Sequence, residues 1–128
     1  MKIIGTGVDI VETVRIEASI TRHGDRFLQR IFTAQEIAYC STMKLSARHY
    51  AARFAAKEAV SKAFGTGIGE FAGWLDIEVC RSPEGRPLIE LHGAAKELAK
   101  RLGIEEVLIS LSHADHYAVA SAVVVGDG

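Results

Sequence analysis

The sequence predicts an α+β fold, a single domain in which an antiparallel sheet packs against a long central helix, and three observations predict it. Residues 47–64 are rich in alanine, hold no glycine or proline and stop at Gly65, the pattern of a long helix closed by a C-terminal glycine. Residues 107–113 and 117–125 are rich in β-branched side chains and are joined at Ala114-Asp115, which predicts an antiparallel pair. Helical and strand patterns of comparable weight share 128 residues with no internal repeat, low-complexity tract or proline-rich linker, so residues 1–128 are expected to form one domain.

The other elements follow in chain order. Residues 3–11 alternate apolar with small side chains, and Gly5 and Gly7 leave little helical propensity, so this is a strand with Asp9 near its end. From Glu12 to about Arg22 the pattern is helical, with Val14, Ile16 and Ile20 expected inside, until His23-Gly24-Asp25 breaks it and a short helix runs to Ile31. Thr33 and Glu36 have the spacing of a capping box that opens a helix to about Met43, and Ser46 is placed to cap the long helix. Beyond the flexible Gly65-Thr66-Gly67-Ile68-Gly69 loop, strands at 75–80 and 87–91 flank a turn at 82–85 and predict a hairpin. Residues 93–102 form a helix ended by Gly103.

Composition narrows the function. Lys plus Arg is 15 against Asp plus Glu at 16, a balance that gives no support to bulk electrostatic binding of nucleic acid, so any anion site must be local. No apolar run approaches the roughly 20 residues that cross a bilayer, and the start has neither a long apolar region nor a small-residue cleavage site. A cytoplasmic protein without a membrane partner is expected. Cys40 and Cys80 form no CxxC pair and have no histidine cluster nearby in sequence, so they are expected to be core residues rather than zinc ligands or a disulfide.

The long helix carries the informative anomaly. Its stripe recurs every four residues at Tyr50/Ala51, Phe54/Ala55, Glu58/Ala59 and Lys62/Ala63, which puts two charges on a face expected to point inward. Glu58 and Lys62 are either a helix ion pair worth about 0.2–0.5 kcal/mol, or a carboxylate for a metal and an ammonium for a phosphate beside the glycine loop. Asp9 either caps the following helix or faces a site, since an acid in an apolar strand is disfavoured without a partner. With Glu58 it supplies the carboxylates that Mg2+ typically takes. The glycine loop offers close backbone approach to a phosphate, although a plain helix end and turn is the commoner use. Ser112, His113 and Asp115 lie too close in sequence to chain their hydrogen bonds as a hydrolytic triad, and no GxSxG elbow is present. Arg15 and Arg22, seven residues apart, share a helix face that Arg26 and Lys44 extend; it is either solvated surface or a basic docking stripe.

Taken in order, Gly5-Thr6-Gly7-Val8-Asp9-Ile10 with Arg15-Ile16, Phe32-Thr33 with Glu36, and Arg53-Phe54-Ala55-Ala56-Lys57-Glu58-Ala59 with Lys62-Ala63 and Gly65-Thr66-Gly67 form one collinear pattern. It continues through Asp76-Ile77-Glu78-Val79, Gly85-Arg86-Pro87 and Ser110-Leu111-Ser112-His113. Over nearly the whole chain this pattern resembles the holo-acyl-carrier-protein synthase family of 4'-phosphopantetheinyl transferases. The resemblance implies that family's fold and its reaction. The 4'-phosphopantetheine arm of coenzyme A passes to a serine of apo acyl carrier protein, adenosine 3',5'-bisphosphate leaves, and the product serves fatty acid biosynthesis.

It further implies that Asp9 and Glu58 bind Mg2+ and, with Lys62, carry catalysis, while Arg53, Lys62, Gly65, Pro87 and His113 line the coenzyme A site. The carrier is implied to dock at Arg15, Arg22 and Arg26, and the protein to be a homotrimer with sites between subunits. The proton acceptor for the serine stays open between Glu58 and a water held at Asp9. The other readings are the same transfer to a polyketide or peptide-synthetase carrier, a non-catalytic coenzyme A-binding module, and a plain interaction domain.

Overall fold

The computed structural model describes residues 1–127. Strand β1 (Lys2–Glu12) leads into helices α1 (Thr13–His23), α2 (Asp25–Ile31) and α3 (Ala34–Ser41), and then the long α4 (Ser46–Phe64). A 3-10 turn (Trp74–Asp76) precedes strands β2 (Ile77–Arg81) and β3 (Pro87–Leu91), helix α5 (Gly93–Leu102) and the pair β4 (Ile104–His113) and β5 (Tyr117–Gly126). The strands make a three-stranded antiparallel sheet in the order β1-β5-β4 and a separate β2-β3 hairpin. The expected α+β architecture around one long helix is the one the chain adopts.

Close contact between β1 and α4 positions everything that follows. A side chain on Gly5 would collide with the carbonyl of Ala63, and one on Gly7 with that of Ala59, so only glycine lets the strand lie this near the helix. Ala55, Ala59 and Ala63 pack there against Ala120, Ala122 and Val124 of β5, all buried. A second cluster of Ile16, Ile31, Phe32, Cys40 and Tyr50 ties α1 to α3 against the first half of α4.

Several expectations need correction. Helix α4 is enclosed on almost every side, and from Tyr50 to Phe64 the positions that escape burial are Phe54, Glu58 and Lys62. The stripe expected to face inward is therefore the outward one, because alanines on the remaining faces let sheet, hairpin and short helices close in around them. The charges that are buried are Arg53 and Lys57. Lys57 lies 2.8 Å from Glu36, both fully buried, and donates to the carbonyls of Trp74 and Ile77 at 2.8 and 2.7 Å.

Val14 points to solvent while Ile16 is buried, and Ser46 is the first helical residue, with Leu45 at the N-cap and no side-chain cap. Residues 75–76 belong to the 3-10 turn rather than to a strand, and α3 stops at Ser41. The Thr33–Glu36 capping box forms as expected, with Thr33 N–H donating to Glu36 at 2.8 Å. The face of the sheet away from α4 leaves Val8, Ile10, Leu108, Tyr117 and Val119 exposed in this single chain.

Candidate active site

Alternation along β1 turns Gly5, Gly7 and Asp9 toward α4 and Thr6, Val8 and Ile10 away from it. The glycines bring the strand in, and the short Asp9 side chain then meets the open stripe of α4. Lys62 Nζ donates to Asp9 Oδ1 at 3.0 Å and to the Val8 carbonyl at 3.0 Å. Among the described residues no ion pair joins Glu58 to Lys62, so the lysine reaches across to the strand instead of along its own helix. Nor does Asp9 cap α1, whose N-cap is Glu12 without a side-chain hydrogen bond. Both bland readings of these residues give way to a three-charge cluster.

Burial pushes the Glu58 carboxyl above its usual range, the nearby Asp9 charge pushes it further, and Lys62 opposes the rise. Asp9 and Glu58 line a cleft of about 390 Å³ with Arg15, Ser19, Phe27 and Phe54. Gly65 closes α4 in the left-handed conformation at φ 87°, its N–H bonded to the Lys62 carbonyl, while the Thr66 and Gly67 N–H groups share the Ser61 carbonyl. Open space surrounds the Cβ positions of Gly65, Gly67 and Gly69, so this backbone is accessible beside Lys62. Arg15, Arg22 and Arg26 are exposed and, among the described residues, have no carboxylate partner.

The other expected residues gather elsewhere. The Arg53 guanidinium lies 4.4 Å from the centroid of the Tyr39 ring, and Arg81 lies 5.0 Å from the same ring. His49 meets Tyr39 edge-on at 6.1 Å and His113 at 4.9 Å, and Arg81 pairs with Pro87 across the hairpin. Arg53, Pro87 and His113 are thus connected through Tyr39, His49 and Arg81, which the sequence reading did not single out. The available signal was the four-residue spacing of His49 and Arg53 on one helix.

Arg53 is buried with its Nε unpartnered, and among the described residues neither arginine nor either histidine has a carboxylate counter-charge. Burial lowers the His49 pKa, and the neighbouring His113, Arg53 and Arg81 lower it further. Unpaired cations around an aromatic ring are what an anionic ring compound would fill. The two groups occupy different sides of α4, the first on the Phe54-Glu58-Lys62 stripe and the second on the His49-Arg53 stripe, turned by about 100°.

Two carboxylates beside a lysine, an open glycine loop and a separate run of unpaired cations are features that suit a multiply phosphorylated ligand. The chain belongs to the 4'-phosphopantetheinyl transferase superfamily, whose family model matches residues 5–122. It is 51% identical over 121 residues to the holo-[acyl-carrier-protein] synthase of Koribacter versatilis, covering 94% of this chain and 97% of that one. With the enzyme of the same description from Moorella thermoacetica it shares 50% identity over 118 residues, 92% of this chain and 91% of that one.

Among solved structures, the Helicobacter pylori holo-[acyl-carrier-protein] synthase in complex with coenzyme A superposes with a TM-score of 0.84 at 38% identity, covering 94% of this chain and 99% of that one. The Neisseria meningitidis synthase gives a TM-score of 0.90 at 31% identity over 97% and 99%.

Proposed function

We propose that this chain transfers the 4'-phosphopantetheine arm of coenzyme A to a serine of apo acyl carrier protein, releasing adenosine 3',5'-bisphosphate. The observation that carries the reading is the convergence of Asp9, Glu58 and Lys62 at the glycine loop of a chain whose relatives are holo-[acyl-carrier-protein] synthases. The donor set fits Mg2+: both ligands are hard carboxylates, and the repulsion that helps to raise Glu58 is what a divalent cation beside Asp9 relieves. Asp9 and Glu58 would hold the ion, which supplies neutralisation of pyrophosphate charge when bound.

The chain's own residues do the rest. The Lys62 ammonium, held at Asp9, stands where charge develops on the departing phosphate, and the Gly65–Gly67 backbone gives a phosphate close approach. Arg53 and His113, with Tyr39, His49 and Arg81, provide a cationic and aromatic seat for the adenosine bisphosphate end, and Pro87 lies beside it. The serine proton would pass to Glu58 or to a water held at Asp9.

The separation of the two groups around α4 supports a site shared between copies of the chain. The exposed apolar face at Val8, Ile10, Leu108, Tyr117 and Val119 supports self-association, which we take to be a homotrimer, since a patch of this kind calls for a partner. Among the described residues no helix is long and apolar enough to cross a membrane, and we place the reaction in the cytoplasm, serving fatty acid synthesis.

Acyl carrier proteins are small and acidic, so the unpaired Arg15, Arg22 and Arg26 beside the cleft form the docking face. Incubation with apo carrier, coenzyme A and Mg2+ is expected to add the mass of the arm to the carrier, and an unchanged carrier mass contradicts the reading. In the same assay Arg22→Glu should raise KM for carrier several-fold, leave KM for coenzyme A unchanged and flatten the salt dependence. A wild-type KM for carrier at low salt would move the docking face elsewhere.

A further inference from the structure

The hairpin carries a second constellation that the transfer reaction does not use. Register sets Glu78 directly opposite Glu90, and alternation puts Cys80 and His92 on the same face, while Ile77, Val79, Ile89 and Leu91 turn to the core. Ligating atoms of Glu78, Glu90 and His92 all lie within 4.8 Å of one another, and the Cys80 thiol reaches Glu90 Oε2 at 3.8 Å.

This is more than a group of surface acids. Like charges directly opposed on an antiparallel pair repel, and Glu78 is only 6% exposed, where an unsatisfied carboxylate is costly. Thr33, which lies outside the group and caps α3, donates to Glu78 Oε2 at 2.6 Å and so fixes which oxygen turns toward the face. An outer hydrogen bond that orients a buried carboxylate is the support that metal ligands have. On the other oxygen, His92 Nε2 stands 3.0 Å from Glu78 Oε1.

We propose that this face of the β2-β3 hairpin is a Zn2+ site, with Glu78, Glu90 and His92 as ligands and the Cys80 thiol next to Glu90 as the nearest further donor, separate from the Asp9–Glu58 pair. Two carboxylates, an imidazole and a thiol form a borderline donor set that favours zinc over magnesium, which prefers oxygen and keeps its waters. Spacing along the chain hid the group, because His92 comes twelve residues after Cys80 and only the hairpin turn brings them to one face. Zinc there cross-braces a hairpin whose far end is the Arg81–Pro87 pair of the cationic group.

The test uses the whole chain, stripped with chelator and titrated with Zn2+ by calorimetry under excess Mg2+, and with Co2+ by absorption. One Zn2+ per chain is expected, with a rise in Tm. His92→Ala and Glu90→Gln, confirmed as folded by circular dichroism, should weaken binding by about 10–100-fold while Asp9→Ala leaves it unchanged. A sulfur-to-cobalt charge-transfer band should appear in the wild type and vanish in Cys80→Ser; its absence from the wild type removes Cys80 from the ligand set. Failure to bind zinc, binding that survives His92→Ala, or binding lost with Asp9→Ala overturns the site.

Discussion

Alanine at Asp9 or Glu58 is expected to lower kcat/KM for arm transfer on the order of 10³-fold, equivalent to about 4 kcal/mol of transition-state stabilisation, while the chain stays folded. The two carboxylates are the oxygen donors of the cleft, and neither substitution leaves a buried group without its partner. Lys62 keeps the Val8 carbonyl when Asp9 is removed, and Glu58 is no member of the core. Stability should hold or rise, because the ionised Glu58 carboxylate is disfavoured in the folded chain by burial and by Asp9. The sign follows from the raised pKa, since removing a carboxylate whose charged form is less favoured in the folded chain than in the unfolded one removes a cost at neutral pH. Thermal melts and transfer kinetics on the same preparations check both halves. Near-normal turnover in either variant removes these residues from the metal.

Lys57→Ala should produce the largest loss of stability of any single substitution considered, about 3–5 kcal/mol in a domain whose total is on the order of 5–15 kcal/mol. Its ammonium is fully buried, pairs with the equally buried Glu36, and serves the carbonyls of Trp74 and Ile77. Burial lowers the Lys57 pKa, and the Glu36 carboxylate works against that fall. Truncation strands the Glu36 carboxylate with only the Thr33 and Val79 N–H donors and leaves two carbonyls facing apolar surroundings. Lys57→Met with Glu36→Leu should recover much of the loss, because replacing both partners leaves no charge behind. Urea unfolding measures all three proteins. A fall below about 1 kcal/mol for Lys57→Ala would show that the pair contributes little here.

Much of the fold was legible because local chemistry marks its boundaries: Gly65 and Gly103 in left-handed conformations, the Thr33–Glu36 box, and the β-branched β4-β5 pair. What misled was the assumption that a helix shows one apolar face. Alanine around α4 removes that contrast, so Glu58 and Lys62 were expected inside, when they occupy the open stripe, while Lys57, to which no position was assigned, is fully buried. The triad of Asp9, Glu58 and Lys62 could be found from residue type, because an acid in an apolar strand and charges beside a glycine loop are visible in one dimension. Tyr39, His49 and Arg81 could not. Their role arises where α3, α4 and the hairpin meet, and no spacing along the chain encodes that meeting.

The division of the site into two groups on different sides of α4 is the centre of the account, and complementation between inactive chains tests it most directly. Glu58→Gln disables the carboxylate group, and His49→Ala with His113→Ala disables the cationic group. Each variant alone should be nearly inactive. Mixed by co-refolding in equal amounts, they should recover about a quarter of wild-type transfer, the fraction of sites in a closed ring that draw each intact half from a different copy. Activity that stays at the sum of the two parents, in oligomers shown by native mass to contain both chains, would contradict the shared site.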